Sequence, residues 1–280
     1  MTVVALEQTA PSPGAVEDNT ADLLRRAELA LGSSDIVVFP ELANTGYVTE
    51  PAEVARVAQP LDGRLVEDLR RVAGRHDGLV ATGFAEREGG EFYNSVVIVG
   101  SDGPLLRYRK LHLFDAEQLA YAPGYDLPVV ETEFGVLAAC ICYDLRFVEV
   151  LRLLSLKGAE IVLAPAAWVG GFDSDVPARG MVQQAEAVIV QANLDQVGVA
   201  AVSQGPRPDV TDVRPLGGSI AVDATGTVLA GPLSRTGADS ATVTFDPAAV
   251  RAARVRSERI RPRQDRRTDL YAVTLRDERW

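Results

Sequence analysis

The chain has 280 residues, 47% of them hydrophobic, and a formal net charge of −11. That length supports one large α/β domain or two small ones, and the acidity argues against general affinity for nucleic acid. No segment approaches the ~18 consecutive apolar residues of a membrane span.

Met1–Leu6 lacks a basic leader and runs directly into a strand-like pattern, so we expect no secretory signal. Two cysteines one residue apart cannot staple a fold, which makes cytoplasmic residence the default expectation. Val3–Glu7 reads as the first strand. A helix follows from about Ala15 to Leu31, with Leu23, Leu24, Ala27, Ala30 and Leu31 on one face. Asp35–Phe39 is a short, almost wholly apolar strand of the type buried on both faces, and it stops at Pro40-Glu41. Helices near 51–58 and 63–75 precede strands near 78–85, 92–99 and 104–109, with Gly89-Gly90 and Ser101-Asp102-Gly103 as hairpin turns.

After Lys110 comes a loop-rich passage to about Leu127, with Pro123-Gly124 as its turn. The apolar run from Phe134 holds both cysteines and stops at Cys142, before a helix near 145–157. Such a pattern places a thiol at a strand-to-helix turn, where active sites of α/β proteins gather. Glu160–Ala164 reads as another buried strand, then a helix over about 178–189, then strands at 190–193 and 197–202. A Gly-, Pro- and Asp-rich loop over 203–217 leads to strands at 219–222, 227–230 and 241–245 and a short helix near 247–256. The alternation of elements, with hairpins mixed in, predicts a four-layer α-β-β-α sandwich with two mixed sheets, over a single domain spanning 1–280. The end of the chain is different. Residues 251–280 carry ten Arg against five acids, net +5, on a body of −16, so 255–280 is expected to pack on itself or on a partner subunit.

Three buried-looking strands each end in a reactive side chain: Glu41, Lys110 and Cys142. Singly, each has a bland reading, as a helix-capping acid, a solvated charge and a small buried hydrophobe. Together they make a base, a cation able to hold an oxyanion, and a nucleophile. Lys110 is one of only two lysines among 28 basic residues, and an ammonium is not interchangeable with a guanidinium. His76 and His112 are the only histidines and neither stands in a zinc-ligand spacing. No Gly-x-Ser-x-Gly elbow, Walker loop or dinucleotide loop is present. We therefore expect neither metal nor cofactor. Cys140 lies inside the apolar run and reads as core.

Phe39-Pro40-Glu41-Leu42-Ala43-Asn44-Thr45-Gly46-Tyr47, Tyr108-Arg109-Lys110-Leu111-His112-Leu113-Phe114 and Cys142-Tyr143-Asp144-Leu145-Arg146-Phe147 resemble the three signature blocks of the nitrilase (carbon–nitrogen hydrolase) superfamily, in its order. Asp265–Tyr271 is similar to the family's C-terminal segment. The resemblance implies the four-layer sandwich, association through a sheet-flanking helical face, and the amidase-like chemistry of a small-molecule amide. It implies that Cys142 is the nucleophile, Glu41 the general base and Lys110 the cation beside the oxyanion. Glu117, seven residues before Gly124, stands where the family carries a second glutamate, and the Tyr143 N–H stands as the other oxyanion donor.

The mechanism so implied runs through a cysteine thioester, with the Lys110 charge favouring the thiolate. Phe147-Val148-Glu149 departs from the usual Phe-Pro-Glu, a change expected to alter local rigidity more than chemistry. Ala164–Trp168 matches the family's substrate-lining turn, and Trp168 with Tyr47 is expected to give the pocket an apolar wall suited to a small aliphatic acyl group. Arg146 is expected to pair with Asp144 or Glu149, His112 to be a structural hydrogen-bonder, and Asn94 to support the sheet. The leading reading is a cofactor-free primary-amide hydrolase forming a homo-oligomer, with no nucleic-acid or membrane partner. Its rivals are an N-carbamoyl or ω-amide hydrolase, a nitrilase, and a catalytically silent binding scaffold.

Overall fold

The computed structural model describes residues 1–169, 177–207, 215–255, 258–276 and 278–279. The chain begins β1 (Thr2–Gln8), α1 (Val16–Ala30), β2 (Ile36–Val38), α2 (Pro51–Val57), α3 (Arg64–His76), β3 (Leu79–Glu88), β4 (Glu91–Gly100) and β5 (Gly103–Arg109). It continues with α4 (Glu117–Ala120), β6 (Val129–Thr132), β7 (Gly135–Ala139), a 3-10 turn (Cys142–Arg146), α5 (Val148–Leu156), β8 (Ile161–Ala166) and α6 (Pro177–Asp195). The described elements end with β9 (Gly198–Ser203), β10 (Ile220–Val222), β11 (Val228–Ala230), β12 (Asp239–Phe245), α7 (Pro247–Ala253), β13 (Thr274–Leu275) and β14 (Glu278–Arg279).

Two six-stranded sheets result, ordered β12-β1-β2-β3-β4-β5 and β11-β10-β9-β8-β7-β6. Each has a three-stranded parallel centre, β1-β2-β3 or β7-β8-β9, with antiparallel strands at its flanks. The strict two-residue period of the strands decides the layers. Val4, Leu6, Ile36, Val38, Val96 and Ile98 of the first sheet share one buried cluster with Leu137, Leu163 and Ala200 of the second. The alternate residues Ala5, Val37, Val80 and Val97 face outward onto Leu23 and Ala27 of α1 and Leu65, Leu69 and Val72 of α3. Leu151 and Leu154 of α5 and Val188 and Ala192 of α6 pack against the second sheet. The expected α-β-β-α architecture is the one found.

One predicted strand is a helix. Residues 190–193 form the end of α6, because Val188 and Ala192, four apart, lie on one buried face and Gln191 Nε2 donates to Leu145 O at 2.6 Å. Four residues are too few for local pattern to decide between strand and helix, and packing decides. The edge strand β6, a segment given no element in the sequence reading, pairs with β7 through Thr132↔Gly135. Two arginines near the C-terminus reach back onto the body. Arg263 donates to Ser155 O at 2.6 Å, and Arg254 donates to Ala159 O.

Candidate active site

The parallel strands carry their following loops to one end of the sandwich, and the chemistry-bearing residues lie there. Glu41 follows β2 after Phe39-Pro40. Its N–H donates to Ala166 O of the other sheet at 3.3 Å, and its carbonyl accepts from Gln204 Nε2 at 2.7 Å. The loop lies directly on β3: a Cβ on Gly83 would come within 2.5 Å of Glu41 Cα. Lys110 follows β5, and its N–H donates to Asn94 O of β4 at 2.9 Å while its carbonyl accepts from Gly124 N at 2.8 Å. Here too only glycine fits, since a Cβ on Gly124 would lie 2.1 Å from Arg109 O. The Pro123-Gly124 turn thus presses on the strand end that carries the lysine.

Glu117 opens α4, and its Oε2 accepts from Phe114 N at 2.9 Å. That leaves Oε1 for the interior. Lys110 Nζ donates to Glu41 Oε1 at 2.6 Å and to Glu117 Oε1 at 2.7 Å, and all three side chains are fully buried. Tyr47 OH donates to Glu117 Oε1 at 2.8 Å, and Asn94 Nδ2 donates to Glu41 Oε1 at 2.6 Å. Glu41 Oε2 is buried and has no hydrogen-bond partner among the described residues.

Cys142 opens the 3-10 turn at φ +45°, a left-handed conformation uncommon outside glycine. Strain of this kind persists only where the surroundings over-determine it, and here they do so through Asp144. Its buried carboxylate accepts from Ile141 N at 2.9 Å, Tyr108 OH at 2.6 Å, His112 N at 3.1 Å and His112 Nδ1 at 2.8 Å. The His112 ring stacks on Phe147 with centroids 3.6 Å apart. Asp144 therefore ties the nucleophile turn to the chain on either side of Lys110. Its oxygens are taken up in this way, and among the described residues the exposed Arg146 pairs with neither Asp144 nor Glu149, contrary to expectation.

Electrostatics follows from burial. Glu41 is pushed up to about 7, chiefly by burial, with the Lys110 charge opposing and the Glu117 charge adding to the rise. Burial acts to lower Lys110, but the charges of Glu41 and Glu117 override it and hold the ammonium above its usual range. Burial and then the Glu41 charge push the Cys142 thiol well up, against opposition from Lys110 and the Ala167 N–H. The Lys110 charge does favour the thiolate, but it is shared by two carboxylates and does not outweigh burial.

Cys140 is fully buried. Tyr143 packs edge-on against Phe114 and Phe147. Trp168 is 2% exposed; its N–H donates to Ser203 Oγ at 3.0 Å, and its indole Nε1 has no partner among the described residues. The Tyr47 side chain is tethered by its hydroxyl to Glu117, so it does more than form an apolar wall. Sequence reasoning passed over Asp144, Tyr108 and Gln204, and gave Asn94 no part in the site. Asp144 and Tyr108 sit inside the quoted blocks, yet nothing local marks their side chains as partners across 36 residues. No group of three or more His, Cys, Asp or Glu among the described residues is arranged to hold a metal. A cavity of about 880 Å³ lies elsewhere, between the start of α1 and helices α2 and α3, and none of these residues lines it.

A model of the carbon–nitrogen hydrolase family matches residues 2–255. An (R)-stereoselective amidase of Pseudomonas sp. is 33% identical over 226 residues, spanning 81% of this chain and 79% of that protein. An omega-amidase of Xenopus tropicalis is 31% identical over 260 residues, 88% of each protein. Among solved structures, Saccharomyces cerevisiae Nit3, a member of branch 10 of the nitrilase superfamily, is similar with a TM-score of 0.78 at 25% identity, covering 94% of this chain and 96% of that one.

Proposed function

The chain belongs to the carbon–nitrogen hydrolase family, and we propose that this hydrolytic C–N enzyme converts a small primary aliphatic amide to its carboxylic acid and ammonia through a thioester on Cys142. The observation that carries the reading is the buried Glu41–Lys110–Glu117 cluster, with Nζ 2.6 and 2.7 Å from the two carboxylates. A binding scaffold has no use for three buried charges, which cost several kcal/mol each to desolvate.

In this mechanism Glu41 Oε2 takes the thiol proton as Cys142 Sγ attacks the amide carbon. Lys110 Nζ and the Tyr143 N–H stabilise the oxyanion that forms; such a donor contributes about 3–4 kcal/mol to the transition state elsewhere. Collapse breaks the C–N bond, and Glu41 returns the proton to the leaving nitrogen, which departs as ammonia. Glu41 then takes a proton from water, whose oxygen attacks the thioester. The second tetrahedral intermediate expels Sγ, which recovers its proton from Glu41. Glu117 holds Lys110 in place throughout.

Similarity to an omega-amidase supports a second reading, in which the acyl group ends in a carboxylate. An ammonia-release panel of aliphatic, aromatic, ω-carboxyl and carbamoyl amides and of nitriles separates these substrate classes, with Cys142→Ala as the blank. Fastest turnover on a short aliphatic amide, and an acyl adduct on Cys142 in the quenched-enzyme mass, are the expected results. Turnover retained by Cys142→Ala would remove the proposal altogether.

A further inference from the structure

Glu41 has two carboxylate oxygens in different circumstances. Oε1 accepts from Lys110 Nζ and from Asn94 Nδ2, each at 2.6 Å, while Oε2 is buried without a partner among the described residues. Asn94 lies on β4, fully buried, and its Nδ2 also lies 3.4 Å from Glu117 Oε1. The opposite orientation of this amide would aim Oδ1 at two carboxylates, which donate nothing when ionised. The orientation found leaves Asn94 Oδ1 buried without a partner among the described residues. A buried orphan acceptor carries a cost, here accepted in exchange for a donor facing Glu41.

We propose that Asn94 is a positioning residue of the hydrolysis, holding Oε1 of Glu41 so that Oε2 is left as the atom that exchanges the Cys142 proton. The inference rests on the thioester reading given above. Lys110 alone cannot fix the carboxylate, because its three hydrogens rotate about one bond and it is shared with Glu117. A second, planar donor on β4 removes rotation of the carboxylate about its last bond. It also favours the ionised form of Glu41, which a base requires. The titratable groups facing Glu41 are Lys110, Glu117 and Cys142, with Tyr47 and Tyr121 beyond them. Asn94 is the neutral donor in that set.

Alkylation of Cys142 by iodoacetamide tests this without a known substrate. Its rate is followed by intact mass between about pH 5 and pH 9 in wild type, Asn94→Leu, Asn94→Ala, Glu41→Gln and a Cys142→Ala blank that reports Cys140. Asn94→Leu removes the donor at similar volume, and Asn94→Ala, being smaller and without a donor, guards against a variant that fails to fold. In both, the acid limb of the profile should move upward by about one pH unit, and the rate at neutrality should fall about tenfold or more. A limb that stays where wild type has it overturns the proposal, whatever the maximal rate does. If instead Glu41→Gln keeps the wild-type limb, Glu41 is not the base, and the thioester reading fails with its own assignment.

Discussion

Glu41 is the residue whose environment departs furthest from its sequence neighbourhood. A carboxylate with an ordinary value of 4.5 is held at about 7 by burial, with Lys110 and Glu117 pulling in opposite directions. A base is competent only when deprotonated, so kcat/KM should fall on the acid side with an apparent pKa near 7 and be near its plateau above it. A pH–rate profile measured against Glu41→Gln checks this; a limb near 4.5 would place the base elsewhere. The same group bears on stability. Its folded-state pKa is raised, so the folded chain binds more protons than the unfolded one between 4.5 and 7. Its stabilising contribution is complete below 4.5 and is lost as pH rises through 7.

At the scale of elements, the site is assembled by loops that touch strands closely. Glu41 sits against β3 because Gly83 has no side chain; an added Cβ would lie within 2.5 to 2.8 Å of Glu41 Cα, Leu42 N and Pro40 O. All three are backbone atoms and cannot step aside. Gly83→Ala should therefore displace the Glu41 loop, lowering kcat by about 100-fold, as misplacement of about 1 Å does elsewhere. Steady-state kinetics with a melting curve checks it, and wild-type kcat would show that the loop can yield. The nucleophile turn relies instead on Asp144, whose four hydrogen bonds reach β5, the segment after it and the turn itself. A Cys142 at φ +45° is kept there by that network rather than by its own preference.

For the molecule as a whole, the face of α5 and α6 away from the second sheet bears Val148, Val190 and Leu194, each more than half exposed. Val190 and Leu194 are one helical turn apart, and Leu194 O accepts from Arg152 Nη2 of α5. Arg152 is itself one turn from Val148, so the three apolar side chains lie on adjoining helix faces. We propose that this face closes a homo-oligomer, in keeping with the association its family resemblance implies. Leu194→Asp should then shift the mass found by light scattering toward the monomer at micromolar concentration. A wild type already monomeric under those conditions would refute the assembly.

Much of this was legible in the amino-acid order alone. Strand-like segments ended at Glu41, Lys110 and Cys142, and alternation of strands and helices called for two covered sheets. Local order carries such signals because strand period, turn chemistry and the reach of a helix are local properties. Residues 190–193 show where that stops, since a segment read as a strand was absorbed into α6 by packing it could not report on. What only the tertiary structure decided is which groups meet. Lys110 reaches Glu41 across 69 residues, Asn94 reaches it across 53, and Gln204 reaches its carbonyl across 163. Burial of that meeting point shares the Lys110 charge between two carboxylates, raises both Glu41 and Cys142, and leaves one oxygen of Glu41 without a partner among the described residues. Those properties come from desolvation and from the distance between side chains far apart in the sequence, and neither quantity exists until the chain has folded.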